Sequence, residues 1–153
     1  MPRLNIPDPE KTFFRMERKV GLSEVNYAKH LDSVSMVKIL HEARLQFLAS
    51  LGFTESNIYG LGLVVTDLTI DYRSESFAND LLVIDVGASL FNRYGFDIGL
   101  KISNEALDSV VCVGKFGVVF FDFDRHKIAR VPAAFKTLLG YSQTENINSV
   151  QVA

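Results

Sequence analysis

Three polar residues, Glu24, Asn26 and His30, lead into the longest helical pattern of this chain. The start of a helix leaves about four backbone N–H groups without partners and carries roughly half a positive charge. Such an end suits an oxygen atom that becomes negative during a reaction. We therefore expect chemistry, if the chain performs any, at the junction between this loop and the helix.

Each of these three residues has a catalytic and a structural interpretation. Asn26 can orient water or donate to a carbonyl oxygen, although it is a poor base, or it can form an Asx turn that shapes the loop. His30 can act as a base or a carbonyl donor, or it can pack in the loop with a backbone hydrogen bond. Glu24 can supply a carboxylate, or it can be an exposed acid of the loop.

A fourth candidate, Asp67, stands in an otherwise apolar strand pattern, where an unpaired carboxylate is costly. If that strand forms the edge of a dimer, Asp67 could reach the partner's site and act as the base. The alternative is a structural ion pair with Arg44 or Arg73.

The helix that follows the loop is predicted to start after a cap at Asp32 or Ser33 and to end near Leu51, with Gly52 as a left-handed stop. At about 100° per residue the helix has one apolar and one polar face. The apolar face contains Val37, Leu40, Phe47, Leu48 and Leu51, and the polar face contains Ser35, Lys38, Glu42 and Gln46. Arg44 falls within the apolar face, so it needs carboxylate or carbonyl partners and is interpreted as a structural anchor.

Strand patterns surround this helix. One is predicted over residues 12–20, and four more follow over residues 61–72, 81–91, 96–103 and 110–123. The connections between the last four are too short for crossover helices, so the sheet should be antiparallel. A short helix is expected over residues 133–139, after Pro132. The pattern predicts an α+β domain over residues 1–140, with a polar, disordered tail over residues 141–153.

Composition narrows the function classes. The 153 residues carry a net charge of -2 and do not concentrate their basic residues, so nucleic acid and anionic membranes are not expected partners. The single cysteine, Cys112, excludes an internal disulfide and should be buried. The three histidines lack metal-ligand spacing, and neither a signal peptide nor a spanning helix is evident. We expect a cytoplasmic protein without a metal or cofactor.

Several local motifs resemble those of one family. They are Asn-Tyr-Ala-Lys-His-Leu at 26–31, His-Glu-Ala-Arg-Leu-Gln-Phe-Leu at 41–48, Asp-Tyr-Arg at 71–73, Asn-Asp-Leu-Leu-Val at 79–83 and Gly-Val-Val-Phe-Phe-Asp at 117–122. Together they resemble the hotdog-fold thioesterases of the 4-hydroxybenzoyl-CoA thioesterase superfamily, over residues 13–139. Aligned on His30, the catalytic Asp of many members falls on Asn26, and the Asp before it falls on Glu24.

The resemblance implies a hotdog fold, in which a five-stranded antiparallel sheet wraps around one long helix and a short C-terminal helix follows. It also implies a homodimer joined edge to edge through the sheets, possible pairing of dimers into tetramers, and acyl-CoA bound between subunits. The thioester carbonyl would point at N–H groups around the start of the helix. Arg73, Arg93 and Lys115 are the candidate contacts for the CoA phosphates.

The expected activity is hydrolysis of an acyl-CoA thioester to free CoA and a carboxylic acid, with the CoA thioester as substrate and no cofactor. Asn26 and His30 would position the thioester and water, and Glu24 or Asp67 would be the base. Two alternatives remain open. One is hydration or dehydration of an acyl thioester, and the other is a non-catalytic acyl-CoA-binding or partner-binding module, because Asn26 stands at the position of the catalytic Asp.

Overall fold

The structure, a computed structural model, describes Ile6, Pro9 and residues 11–141. Its elements in chain order are β1 (Phe14–Lys19), α1 (Ser33–Ser50), β2 (Gly62–Tyr72), β3 (Leu81–Ser89), β4 (Gly95–Asn104), β5 (Ser109–Asp122), β6 (Lys127–Ala129) and α2 (Ala133–Leu138). The expected order of five strands and two helices is confirmed. The three-residue strand β6 was not expected, because its sequence is short and mostly exposed.

The strands form one antiparallel sheet in the order β1-β3-β4-β5-β2, with β6 added beside the end of β5. The sheet curls around α1, which gives the hotdog arrangement. Strand β2 pairs with β5 and not with β3, its successor in the chain. The connection from β2 to β3 therefore has to travel across the domain, and it runs past the start of α1.

Helix α1 packs its apolar face into the curled sheet. Its fully buried apolar residues are Met36, Ile39, Leu40, Ala43, Phe47 and Leu48. The predicted ends are confirmed, since Asp32 accepts a hydrogen bond from the backbone N–H of Ser35 and Gly52 has a φ of 87°. The placement of Ser35 on the exposed face was wrong. Ser35 is buried because its hydroxyl donates to Asp32 Oδ2 at 3.1 Å and completes the cap.

Arg44 is 5% exposed and has the partners that its position demands. Its Nε donates to Glu55 Oε1 at 2.8 Å, and its Nη2 donates to His41 Nδ1 at 2.8 Å. The guanidinium also lies 4.4 Å from the ring centre of Phe116 on β5. Arg44 therefore ties α1 to the following loop and to the sheet, as a structural anchor.

Aromatic residues of α2 and of the chain after it pack against aromatic residues of the sheet and of the β3–β4 connection. Phe135 of α2 packs against Phe96 and Phe120, with ring centres 5.3 and 5.4 Å apart. Tyr141 packs against Phe91 with ring centres 4.8 Å apart and donates a hydrogen bond to the carbonyl of Ala88. The rest of the predicted polar tail, residues 142–153, lies outside the described residues.

Two glycines on the outer face of the sheet accommodate the N-terminal part of the chain. Gly87 and Gly99 pair across β3 and β4. A Cβ at Gly87 would lie 2.5 Å from the carbonyl oxygen of Lys11 and 3.0 Å from Pro9, and one at Gly99 would lie 3.5 Å from Pro9. The backbone of the N-terminal segment therefore lies directly on the sheet at this point.

Two further observations concern the single cysteine and the question of a membrane-spanning helix. Cys112 is buried as expected, and burial raises the pKa of its thiol to about 12. Within the described residues, neither α-helix is long and apolar enough to cross a bilayer.

Replacing Arg44 tests its structural role. Arg44→Leu should lower the free energy of unfolding by about 1–3 kcal/mol, because Arg44 is buried and its replacement removes its hydrogen bonds to Glu55 and His41. Urea unfolding monitored by circular dichroism measures this. Arg125→Leu is the matched control, because Arg125 is mostly exposed and its ion pair with Asp122 is long, at 3.8 Å, so its loss should matter far less. Equal stability losses in the two variants would contradict the anchor role.

Candidate active site

The loop between β1 and α1 is organised by the side chain of Asn26. Asn26 Oδ1 accepts hydrogen bonds from the N–H groups of Ala28 at 3.0 Å and His30 at 3.2 Å. Its own N–H donates to the carbonyl of His30 at 2.8 Å. Lys29 adopts a left-handed backbone with a φ of 65°, which is uncommon for a residue other than glycine. In this geometry the Asn26 carbonyl group shapes the loop.

A cleft of about 320 Å³ opens between this loop, the first turn of α1 and the connection from β2 to β3. Its walls consist of Asn26, His30, Leu31, Met36, Tyr72, Arg73, Ser74, Glu75, Ser76 and Val111. The two loops are joined directly. The N–H of Leu31 donates to the carbonyl of Ser76 at 2.8 Å, and His30 forms an isolated antiparallel β-bridge with Phe77. The cleft thus adjoins the junction between the loop and α1, at which any chemistry is expected from the sequence.

His30 faces a carboxylate that the sequence did not single out. His30 Nδ1 lies 3.4 Å from Glu75 Oε1, and the imidazole packs edge-on against Phe77 with ring centres 5.0 Å apart. The His30 side chain is 31% exposed. Glu75 belongs to a polar stretch without a recognisable motif, and it reaches His30 only because the two loops pair. Among the residues that line the cleft, Glu75 is the one carboxylate.

Glu24 does not line the cleft. Its two oxygens accept hydrogen bonds from Arg18 at 2.7 and 2.5 Å, and Oε1 also accepts from the N–H of Gly21 at 2.8 Å. These bonds, led by the one from Arg18, lower the pKa of Glu24. Arg18 also contacts Glu42 of α1 at 3.2 Å. Glu24 therefore fastens the loop to β1 and, through Arg18, to α1.

Asp67 also lies away from the cleft. It follows a bulge in β2 and points to the face of the sheet opposite to Tyr72, a cleft residue on the same strand. Its partner is Lys115 at 3.0 Å, and not Arg44 or Arg73, which were the partners considered from the sequence. Lys115 lies 3.5 Å from Asp97 as well. Burial lowers the pKa of Lys115, but the two carboxylates outweigh it and raise the pKa overall.

The three cations expected near CoA do not converge. Arg73 lines the cleft, where its Nε donates to Asp71 at 3.0 Å and its Nη2 donates to the carbonyl of Ile6 at 3.3 Å. Arg93 lies exposed in the turn between β3 and β4, and Lys115 lies on the outer face of the sheet. Of the three, only Arg73 is placed beside the cleft.

The start of α1 already holds an anion. Asp32 Oδ1 accepts from the N–H of Ser35 at 2.8 Å, and this hydrogen bond is the main cause that lowers the pKa of Asp32. Tyr72 approaches the same turn and donates from its hydroxyl to the carbonyl of Ser33 at 3.1 Å. A negative carboxylate therefore occupies the position in which the resemblance suggested that N–H groups would receive a thioester oxygen.

Sequence reasoning also missed Ser76. The residue is 2% exposed and lines the cleft, and its Oγ has no hydrogen-bond partner in the described part of the chain. No motif marks this serine, since its burial results from the pairing of two loops that are distant in sequence.

Comparison with solved structures defines the class of fold. The 1,4-dihydroxy-2-naphthoyl-CoA thioesterase Slr0204 from Synechocystis superposes with a TM-score of 0.73, covering 82% of this chain and 94% of that one at 20% identity. The DHNA-CoA thioesterase from Staphylococcus aureus gives a TM-score of 0.66, with 76% and 78% covered at 19% identity. The gentisyl-coenzyme A thioesterase BH1999 gives 0.69, with 80% and 99% covered at 17% identity. These likenesses show a shared hotdog fold.

The family follows from the sequence comparison. Residues 20–139 match the thioesterase-like superfamily, so the chain belongs to that superfamily. A search of curated protein sequences finds no significant match. The matched range includes the β1–α1 loop, α1 and the connection that carries Glu75 and Ser76.

The ion pair of Glu24 predicts a pH-dependent stability. Because its pKa is lowered in the folded protein, the stabilisation is complete above the ordinary glutamate pKa of about 4.3 and is lost as the pH falls through the folded value. Glu24→Gln should lower the free energy of unfolding by about 1–2 kcal/mol at neutral pH, and the difference should shrink below about pH 4. Urea unfolding at a series of pH values measures both.

Glu42→Gln is the control for this experiment. Glu42 contacts the same arginine but is more exposed, so its replacement should have an effect of only a few tenths of a kcal/mol, about that of a surface pair. A Glu24→Gln deficit that remained constant down to acid pH would show that the carboxylate charge is not its cause.

Proposed function

We propose that this protein hydrolyses an acyl-CoA thioester to free CoA and a carboxylic acid. Membership of the thioesterase-like superfamily supports the reaction class. The observation that carries the proposal is the contact between His30 and Glu75 in the wall of the cleft, directly beside the loop that holds the catalytic residue in many relatives. A carboxylate is thus present at the site although Asn26 stands at the position of the family's Asp.

The geometry suggests separate roles for the two side chains. Glu75 lies near Nδ1 of His30, which favours the tautomer with its proton on Nδ1 and leaves Nε2 free to accept a proton. In the proposed reaction, His30 Nε2 removes a proton from water as the water oxygen attacks the thioester carbonyl carbon. The carbon–sulfur bond then breaks, and the imidazolium returns the proton to the departing thiolate. Glu75 orients the imidazole.

The other carboxylates fit this role less well. Glu24 is held by Arg18, and Asp67 is paired with Lys115 on the opposite face of the sheet from the cleft residue Tyr72. Asn26 is used to support the loop through its Oδ1. The proposal therefore gives the task of the catalytic Asp to Glu75 and His30, and gives Asn26 the task of holding His30 in position.

The volume of the cleft and the residues in its wall indicate which substrate we propose. Its volume of about 320 Å³ is at the lower end of the usual range for ligand pockets, which favours a compact acyl group. Structural neighbours include thioesterases of aryl-CoA esters, such as gentisyl-CoA. Arg73 at the cleft is the proposed contact for a CoA phosphate, and Arg93 and Lys115 are not supported for this role by their positions.

The edge strand β2 supports a homodimer as part of the proposal. Val64, Val65 and Leu68 are 36%, 37% and 36% exposed on this strand, and its outer edge has no neighbour within the described chain. An unpaired apolar edge of this length favours association. We propose that a second copy pairs along β2, which would place the cleft at the end of that strand close to the partner. Further pairing of dimers into tetramers remains part of the proposal.

A second candidate function is an acyl-CoA-binding module without turnover. The use of Asn26 as a loop-forming residue favours it, because a binding module needs the shape of the loop but not the carboxylate. Saturable binding of CoA esters in calorimetry, together with no release of thiol, would support this candidate over the hydrolase.

The catalytic pair is tested by single substitutions. Purified protein is incubated with short, long and aryl acyl-CoAs, and the release of free thiol is followed. Relative to wild type, His30→Ala should lower kcat about a hundredfold and Glu75→Gln about tenfold, because the base and its orienting carboxylate are lost. Glu105→Gln, an exposed acid outside the cleft, is the control and should leave turnover unchanged.

A double substitution tests whether Glu75 replaces the family's Asp. Asn26→Asp keeps an oxygen acceptor for the loop and restores the carboxylate at the family's position. The pair Asn26→Asp and Glu75→Gln should therefore recover activity that Glu75→Gln alone has lost. Unchanged turnover in both His30→Ala and Glu75→Gln would remove these residues from the reaction.

Charge on the edge strand tests the dimer. Val65→Lys should shift the protein to monomers at concentrations at which wild type is dimeric, because a lysine at the edge opposes strand pairing. Size-exclusion chromatography with light scattering gives the mass. Leu90→Lys is the control, since Leu90 is exposed after β3, which β4 and β5 separate from β2. A monomeric wild type, or a dimer unaffected by Val65→Lys, would contradict pairing along β2.

A further inference from the structure

The hydroxyl of Ser76 is an exception to the rule that buried polar groups have partners. Ser76 is 2% exposed, and its Oγ makes no hydrogen bond within the described part of the chain. An unsatisfied buried hydroxyl destabilises a folded protein, so such groups are rare unless they have a role. The nearby Ser74 shows the ordinary situation, because its Oγ donates to the carbonyl of Val110 at 2.8 Å.

The position of Ser76 is fixed relative to the proposed catalytic pair. Its carbonyl accepts a hydrogen bond from the N–H of Leu31 at 2.8 Å, and Leu31 follows His30 in the chain. Its neighbour Glu75 is the residue that contacts His30. All four residues line the cleft. The free hydroxyl therefore belongs to the same wall as the groups that would activate water.

Hydrolysis of a thioester also needs a donor for the carbonyl oxygen, and the neighbouring backbone offers few. Every N–H group of residues 28–32 already has an acceptor inside the protein. The acceptors are Asn26 Oδ1 for residues 28 and 30, and the carbonyls of Asn26, Ser76 and Glu24 for residues 29, 31 and 32. At the start of α1, the carboxylate of Asp32 accepts from Ser35 and would repel a developing oxyanion.

We propose that Ser76 Oγ–H donates a hydrogen bond to the thioester carbonyl oxygen of the bound acyl-CoA and stabilises the oxyanion. This inference rests on the proposed function. A serine side chain changes direction by rotation about a single torsion, so the hydroxyl can turn from its buried position toward a ligand in the cleft. The hydroxyl, which lacks a partner among the described residues, would thus gain one from the substrate.

The proposal predicts opposite effects of Ser76→Ala on stability and on turnover. Removing a hydroxyl that has no partner should raise Tm slightly, whereas losing one oxyanion donor should lower kcat about a hundredfold, with a smaller change in KM. Ser50→Ala is the matched control. Ser50 donates to the carbonyl of Phe47 at the end of α1, so this variant should lower Tm and leave turnover unchanged.

A binding experiment gives a readout that does not depend on turnover. Two stable CoA analogues with the same acyl chain are compared by calorimetry. One is a ketone with a methylene group between sulfur and carbonyl, and the other is a thioether without the carbonyl. Wild type should bind the ketone about tenfold more tightly, as expected for one additional hydrogen bond, and Ser76→Ala should bind both equally.

The outcomes separate this inference from the proposed function. If wild type hydrolyses acyl-CoA and Ser76→Ala has the same kcat and the same preference for the ketone, the role of Ser76 is overturned and the function stands. If wild type binds the ketone without turnover, the hydrolase is overturned, and loss of the preference in Ser76→Ala still supports the hydrogen bond. If wild type neither hydrolyses nor binds these compounds, both proposals fail. A lower Tm for Ser76→Ala would show a structural partner and contradict the inference.

Discussion

The pairing of two loops determines the arrangement of the site. The N–H of Leu31 donates to the carbonyl of Ser76, and His30 bridges Phe77 in an antiparallel fashion. This contact exists because β2 pairs with β5 at one edge of the sheet while β3 lies nearer the other edge. The connecting chain must therefore cross the start of α1. This hydrogen bond between two backbones sets the distance between side chains, such as those of His30 and Glu75, that are more than forty residues apart in the chain.

Most of the architecture could be predicted from local patterns. The caps of α1 depend on Asp32 and Gly52, whose chemistry is visible within a few residues, and the strands follow from apolar runs between turns. The differences are also local. The strand predicted to continue to residue 91 ends at Ser89, because Leu90 adopts a left-handed backbone with a φ of 52°. Ser35 is buried because it completes a cap, which a periodicity argument does not include.

The candidate site was predictable only in part. The loop with Asn26 and His30 was identified from residue types next to a helix, and the structure places both beside the cleft. Glu75 and Ser76 were not identified, since their relevance arises from contacts across the fold. Conversely, Glu24 and Asp67 attracted attention as carboxylates, but each has a cation close by that the sequence did not assign to it. Ion pairs depend on three-dimensional register, which residue spacing alone does not give.

The N-terminal segment has a consequence for how molecules of this protein can stack. Pro9 and Lys11 lie against the paired glycines Gly87 and Gly99 on the outer face of the sheet. The chain therefore shields its own middle strands at that point, and a second molecule could not lie flat against them without first displacing this segment. Ile6 of the same segment accepts a hydrogen bond from Arg73 at the cleft, so displacing the segment would also break this hydrogen bond beside the site. A molecule that displaced this segment from the outer face would therefore also change the hydrogen bonds of an arginine at the cleft.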